Sequence, residues 1–203
     1  MIIADRFLWL HLPKTGGTTM NRVFRELALP GVVMDPDDTR AKHDSVSLRE
    51  QSGSWRAGAR RRFINSRSLP AWLVSDWCHK QRHMGLDLPF EPVTCGLFYS
   101  LRLGGVWVAA DWWLRYFEIN SATTALRLEH LTDDFNTLLL PLLPPGTPPL
   151  VEPPRENKAR EGSRPAPRSL DPAEIETIYA CNPLWLDWET RVYGHDPRVA
   201  SNR

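Results

Sequence analysis

The chain has 203 residues, enough for a single domain, 1–203, with a proper core and one excursion from it. Its formal net charge of +1 excludes a bulk attraction to nucleic acid or to a strongly acidic polymer, so an anion site has to be local. Cys78, Cys95 and Cys181 are far apart with no C-x-x-C pair, which suggests neither a disulfide framework nor a thiolate zinc site and fits a reducing compartment.

Phe7 to Leu12 form an apolar run that reads as a strand, too short for the apolar stretch of a secretion signal. It runs into Lys14, Thr15, Gly16, Gly17, Thr18 and Thr19, a turn rich in hydroxyls and able to bring backbone close to an anion. Met20, Val23, Phe24 and Leu27 then recur at i, i+3, i+4 and i+7, so a helix follows whose apolar face packs on the sheet and whose N-terminus stays open. Lys14 precedes the Gly pair, whereas a Walker A loop places its Lys after the glycines, and this order disfavours a kinase or GTPase.

The segment His11 to Thr19 resembles the 5′-phosphosulfate-binding loop, H-x-P-K-[TC]-G-[GST]-[TS], of the sulfotransferases that use 3′-phosphoadenosine 5′-phosphosulfate (PAPS), in particular their carbohydrate-type branch. The resemblance implies an α/β fold with a central parallel sheet flanked by helices, P-loop-like in architecture, and a reaction that leaves PAP as product. It also implies that His11, Lys14, Thr15, Gly16, Gly17, Thr18 and Thr19 hold the cofactor, with Lys14 stabilising the leaving oxygen.

Met34 to Arg40 are polar and turn-rich and end the first strand-helix unit. In the next stretch, Lys42 to Glu50, Ser45 or Ser47 is available to cap a short helix. Lys42-His43-Asp44-Ser45 resembles a K-H-x-[ST] segment of related sulfotransferases whose His is the presumed base, and imidazole suits that task at neutral pH. His43 is therefore preferred as the general base, with His11 in a supporting role.

A basic tract from Arg56 to Arg62 reads as a solvated approach to a short buried strand, Phe63 to Asn65, rather than as a nucleic-acid surface. Ser66 to Trp77 repeat the turn-to-helix logic, with Trp72, Leu73 and Trp77 at helical spacing. Arg67 and Ser75 are eight residues apart, as are the Arg and Ser that hold the 3′-phosphate in the family signature V-R-N-P-x-x-R-x-x-S, although Ser68, Leu69 and Trp72 depart from it. His79 and His83 stand at i, i+4 without a third ligand pattern, so no metal is implied.

Met84 to Ser121 are rich in Trp and Phe and read either as an aromatic acceptor wall or as a helical core. Their longest apolar stretch, from Val106 to Trp113, is interrupted by Asp111 and too short to cross a membrane. Thr124 to Leu131 read as a strand, and Thr132 to Phe135 open a helix. This region resembles the family's late R-x-E-x-L-x-x-D-F segment, with Glu129 as a structural carboxylate. Seven prolines between Pro141 and Pro154 leave no regular element there. Asn157 resembles an Asn on the family's cofactor-covering loop. Asp171, Pro172 and Glu174 form a helix start, and the segment Ile175 to Gly194 resembles the family's closing pattern.

The expectation is thus a cytoplasmic, bacterial enzyme that moves a sulfuryl group from PAPS to a hydroxyl or amine of a carbohydrate or small-molecule acceptor, with no nucleic-acid or membrane partner. A Mg-nucleotide-dependent phosphotransferase and a non-catalytic nucleotide-binding module are the alternatives. Oligomeric state and acceptor are open.

Overall fold

A computed structural model describes residues 1–53, 55–154 and 169–200. In chain order its elements are β1 (Ile2–Ile3), β2 (Phe7–Leu10), α1 (Gly17–Leu27), β3 (Val33–Met34), α2 (Val46–Gln51), β4 (Arg61–Ser66), α3 (Leu69–Met84) and α4 (Glu91–Thr94). There follow β5 (Leu97–Ser100), β6 (Val106–Ala109), α5 (Asp111–Tyr116), β7 (Thr123–Arg127), α6 (Leu131–Asp134), α7 (Pro172–Cys181), α8 (Pro183–Tyr193) and α9 (Pro197–Ala200). The described residues gather into two compact units, 1–66 with 116–154, and 67–115 with 169–200, so the chain leaves the first unit after β4 and re-enters it before β7.

The first unit is built on a five-stranded sheet of order β3-β1-β2-β4-β7, flanked by helices. β2, β4 and β7 are parallel, with Trp9 beside Phe63 and Ser66 beside Arg127. The sheet is nevertheless mixed rather than parallel, because β1 runs antiparallel to both β2 and β3. Only Ala4, Asp5 and Arg6 separate β1 from β2, and the Ala4 N–H donates to the Phe7 carbonyl at 3.0 Å, a connection far too short for the crossover that a parallel neighbour needs.

One face of this sheet carries Phe7, Trp9 and Phe63, and the buried stripe Met20, Val23 and Phe24 of α1 packs into it together with Leu126, Leu131 and Phe135. The Phe7 ring lies 5.8 Å from Phe24 and 5.9 Å, edge-on, from Phe63. β4 starts two residues before the expected strand: the end of the basic tract enters the sheet, and Arg62 pairs with Glu118 at 3.2 Å. After β7 the chain turns at Leu128–His130 before α6, so Glu129 sits in a turn and not on a strand, and a π-helical turn, Phe135–Leu139, replaces a continuing α-helix. The Arg127 guanidinium binds both Asp134 carboxylate oxygens, at 3.0 and 2.6 Å, and together with the Arg127 N–H it holds that carboxyl below the ordinary range against the opposing effect of burial. Pro141 joins a short 3-10 turn, Leu140–Leu142, a regular element where the proline count predicts none. Further along, Asn136 gives and takes a 2.8 Å bond with Leu150, which ties the Pro-rich stretch back to the unit.

In the second unit Trp72 of α3 packs on Phe98 at 5.5 Å and on Trp185 at 5.0 Å, and Trp185 contacts Trp188. Trp72, Phe98, Trp113, Trp185 and Trp188 are buried and form core, whereas Phe90, Trp107 and Trp112 are half-buried. The region 97–109 is a two-stranded antiparallel ribbon, neither of the two alternatives expected, with Tyr99 opposite Trp107 and Gly104 and Gly105 both at positive φ in the turn. Buried carboxylates hold the helices to one another. Glu189 accepts from the Leu69 N–H at the start of α3 and from the Tyr179 hydroxyl, each at 3.0 Å, while Asp111 accepts from Leu184 and Trp185 at 3.0 and 2.8 Å and so caps α8 from outside it. α7 starts with the Asp171–Glu174 capping box, and α8 ends on Gly194 in the left-handed region, φ 76°. Among the described residues no helix is long and apolar enough to cross a membrane.

Candidate functional site

The loop from His11 to Gly16 leaves β2 at the carboxyl end of the parallel strands, where open α/β sheets present ligand-binding crevices. Two residues in it are left-handed, Gly16 at φ 84° and Lys14 at φ 64°. Lysine rarely adopts this conformation, and such strain persists only where the surroundings impose it. The Thr15 hydroxyl donates to the Leu12 carbonyl at 2.8 Å, and the Thr15 carbonyl accepts from Asn65 Nδ2 at 2.7 Å. Thr15 is buried, so its hydroxyl shapes the loop from within, whereas Lys14, Thr18 and Thr19 remain half-buried.

Gly17 is required by space and Gly16 by its left-handed backbone. A Cβ on Gly16 would come within 2.7 Å of Leu128 Cδ1, and one on Gly17 would fall inside the His11 imidazole. α1 then begins with no side-chain cap, and its first intrahelical bond of the turn runs from Met20 N–H to the Gly16 carbonyl at 3.1 Å. The N–H groups of Gly17, Thr18 and Thr19 precede that bond, at the positive end of the helix dipole and next to Lys14.

His11 is buried at the floor of this loop, and His43 meets it edge-on with ring centroids 4.7 Å apart. His43 Nδ1 lies 2.7 Å from the His11 carbonyl oxygen. A carbonyl only accepts, so the proton of neutral His43 sits on Nδ1 and the lone pair on Nε2, the form a general base needs. The neighbouring turn is fastened by the Ser45 hydroxyl, which caps α2 by accepting from the Leu48 N–H at 3.2 Å. Lys42 donates instead to the Asp37 carbonyl, and Asp37 also binds Asn21 of α1 at 2.7 Å.

Burial, and after it the neighbouring His43, hold the His11 imidazole well below its ordinary value. The unfolded chain therefore takes up a proton that folded His11 refuses. This contribution to stability is present above about pH 6.5 and declines as the pH falls through that value. The difference in urea unfolding free energy between wild type and His11→Gln, followed from pH 7.5 to 5, is expected to shrink on acidification; a difference independent of pH would contradict the assignment.

The structure thus brings His11, Lys14, Thr15, Gly16, Gly17, Thr18, Thr19 and His43 together in the first unit. Arg67 and Ser75 belong to the second, Arg67 half-buried just ahead of α3 and Ser75 half-buried on its second turn. Asn157 lies outside the described residues. Asn65 joins them from outside the motif; a polar amide closing a short apolar run is its one sequence signal, and its Oδ1 is buried with no hydrogen-bond partner beside the loop it holds. Among the described residues no three His, Cys, Asp or Glu side chains are grouped to hold a metal ion. The arrangement can cradle an anion on backbone N–H groups and a lysine while a neutral imidazole accepts a proton nearby. Comparison with family models, with curated proteins and with solved structures finds nothing that matches this chain.

Proposed function

We propose that the chain is a PAPS-dependent sulfotransferase acting on a hydroxyl or amine of a carbohydrate or small-molecule acceptor. The observation that carries this reading is the proximity of the glycine turn to His43, whose Nδ1–H is committed to the His11 carbonyl, so that the basic lone pair of the neutral ring lies on Nε2. The turn fits a phosphosulfate: the uncapped start of α1 offers N–H donors, Lys14 a compact positive charge, and Gly16 and Gly17 the close approach of backbone. Bound there, PAPS supplies a sulfuryl group activated as a mixed anhydride with phosphate.

Lys14 and the N–H groups of Gly17, Thr18 and Thr19 then stabilise the charge that grows on the leaving phosphate oxygen, an electrostatic task already built into the folded loop. His43 Nε2 removes the proton of the acceptor hydroxyl. His11, held neutral, adds no competing charge and presents the carbonyl that keeps His43 in the required tautomer. The 3′-phosphate role of Arg67 and Ser75 rests on the resemblance to the family signature alone.

The test is release of PAP from PAPS in the presence of a panel of glycosides, phenols and amines. His43→Ala is expected to lower turnover on a hydroxyl acceptor by about a hundredfold or more with PAP affinity within twofold of wild type. Equal losses in affinity and turnover would assign His43 to binding. Release unchanged by the substitution would remove it from the chemistry.

A further inference from the structure

Two of the three cysteines, far apart in sequence, flank one junction in the second unit. Cys95 follows α4 as its C-cap, Cys181 is the last residue of α7, and both are exposed with free thiols. Their chain neighbours are joined directly: Asn182 Nδ2 donates to the Gly96 carbonyl at 2.9 Å. A Cβ built on Gly96 would lie 3.1 Å from Cys181 Cβ, so the backbone beside Cys95 runs against the side chain of Cys181. Two further bonds of the Asn182 side chain, from its Nδ2 to the Ile178 carbonyl at 2.9 Å and to its Oδ1 from the Asp111 N–H at 3.0 Å, hold this junction in place. Burial first, then the Asp111 charge and Cys95, push the Cys181 thiol up.

We propose that Cys95 and Cys181 are a dithiol that closes reversibly to a disulfide, fastening the start of β5 to the joint between α7 and α8. With a small-molecule disulfide such as oxidised glutathione as oxidant, one thiolate attacks a glutathione sulfur and expels one glutathione thiolate. The second cysteine thiolate then attacks the protein sulfur of the mixed disulfide and expels the other. Two protein thiols lose two electrons and two protons, and one oxidised glutathione becomes two reduced ones. Both thiols are open to such a reagent, and the residues flanking them hold the two backbones together, which keeps the cysteines in one neighbourhood. A covalent link across a long loop also restricts the unfolded chain, and the oxidised form is the more resistant to unfolding.

The experiment incubates the full chain with oxidised glutathione, blocks the remaining thiols with iodoacetamide, and maps the digest by mass spectrometry without reduction. The expected result is one linked pair of peptides containing Cys95 and Cys181, two hydrogens lighter than their sum, with Cys78 alkylated. Cys95→Ser and Cys181→Ser each abolish that pair, and dithiothreitol reverses it in wild type. Oxidised wild type is also expected to show slower amide exchange at Gly96 and Asn182 than reduced protein, a difference absent from both variants. Recovery of Cys95 and Cys181 as separate glutathione adducts, or linked only between two chains, would overturn the proposal.

Discussion

Replacing Gly17 by alanine is expected to destabilise the first unit by about 2–3 kcal/mol, the upper part of the range for forcing an extra group into a packed interior. A helix position without positive φ ordinarily gains from alanine, so the sign of the effect is diagnostic. Here the new Cβ would fall inside the His11 imidazole, which is 4% exposed and packed under the His43 ring, and so has nowhere to go. The check is urea unfolding of Gly17→Ala, His11→Ala and the double variant. Once the imidazole is absent the added methyl group finds space, so the double variant is expected to be less destabilised than the sum of the singles. Additive losses would show that the glycine is needed for some other reason. On the proposed function, a disturbance of His11 that reaches the carbonyl holding His43 is expected to lower turnover as well.

Lys14 separates conformation from charge. Its φ of 64° is a state that costs an L side chain about 1–2 kcal/mol and that glycine occupies freely. Lys14→Gly is therefore expected to be more stable than Lys14→Ala by about 1 kcal/mol, since alanine keeps the strain and loses the same charge. Binding of PAP is expected to weaken equally in both, by about tenfold to a hundredfold, the usual value of a charged hydrogen bond. Equal stability of the two variants would mean that the left-handed state imposes no strain, and unchanged PAP affinity would remove Lys14 from the anion cradle.

The legible parts of this fold share a local cause. The change at Lys14 from a continuous apolar run to a 3.6-residue period marks a strand delivering a turn to a helix, and β2 and α1 stand where that change puts them. The cap at Ser45, one of the two serines the sequence offers, and the capping box at Asp171 are equally local signals, each stated within a few residues. The antiparallel edge of the sheet was not legible, because β1 and β3 have two residues each and no periodicity to read. In the ribbon of β5 and β6, aromatic residues serve helices and strands alike, and the Gly104–Gly105 turn between them was the signal available.

The candidate site divides along the same line. The glycines, Lys14 and the threonines are consecutive and could be read together, while the reason His43 belongs beside them is a hydrogen bond to a carbonyl 32 residues away. Asn65 meets Thr15 across 50 residues, and Gly96, next to Cys95, meets Cys181 and Asn182 through the packing of α4 and α7. Such meetings are products of tertiary packing and leave no trace in local spacing.

The most direct measurement of the central claim is titration calorimetry of the full chain with PAP and, separately, with Mg-ATP, on wild type, Lys14→Ala and Arg67→Ala. The account predicts that PAP binds wild type more tightly than Mg-ATP does and that each substitution weakens PAP. A preference for Mg-ATP would move the chain to the phosphotransferases, and no binding of either nucleotide would contradict a nucleotide-dependent function for the His11–Thr19 loop altogether.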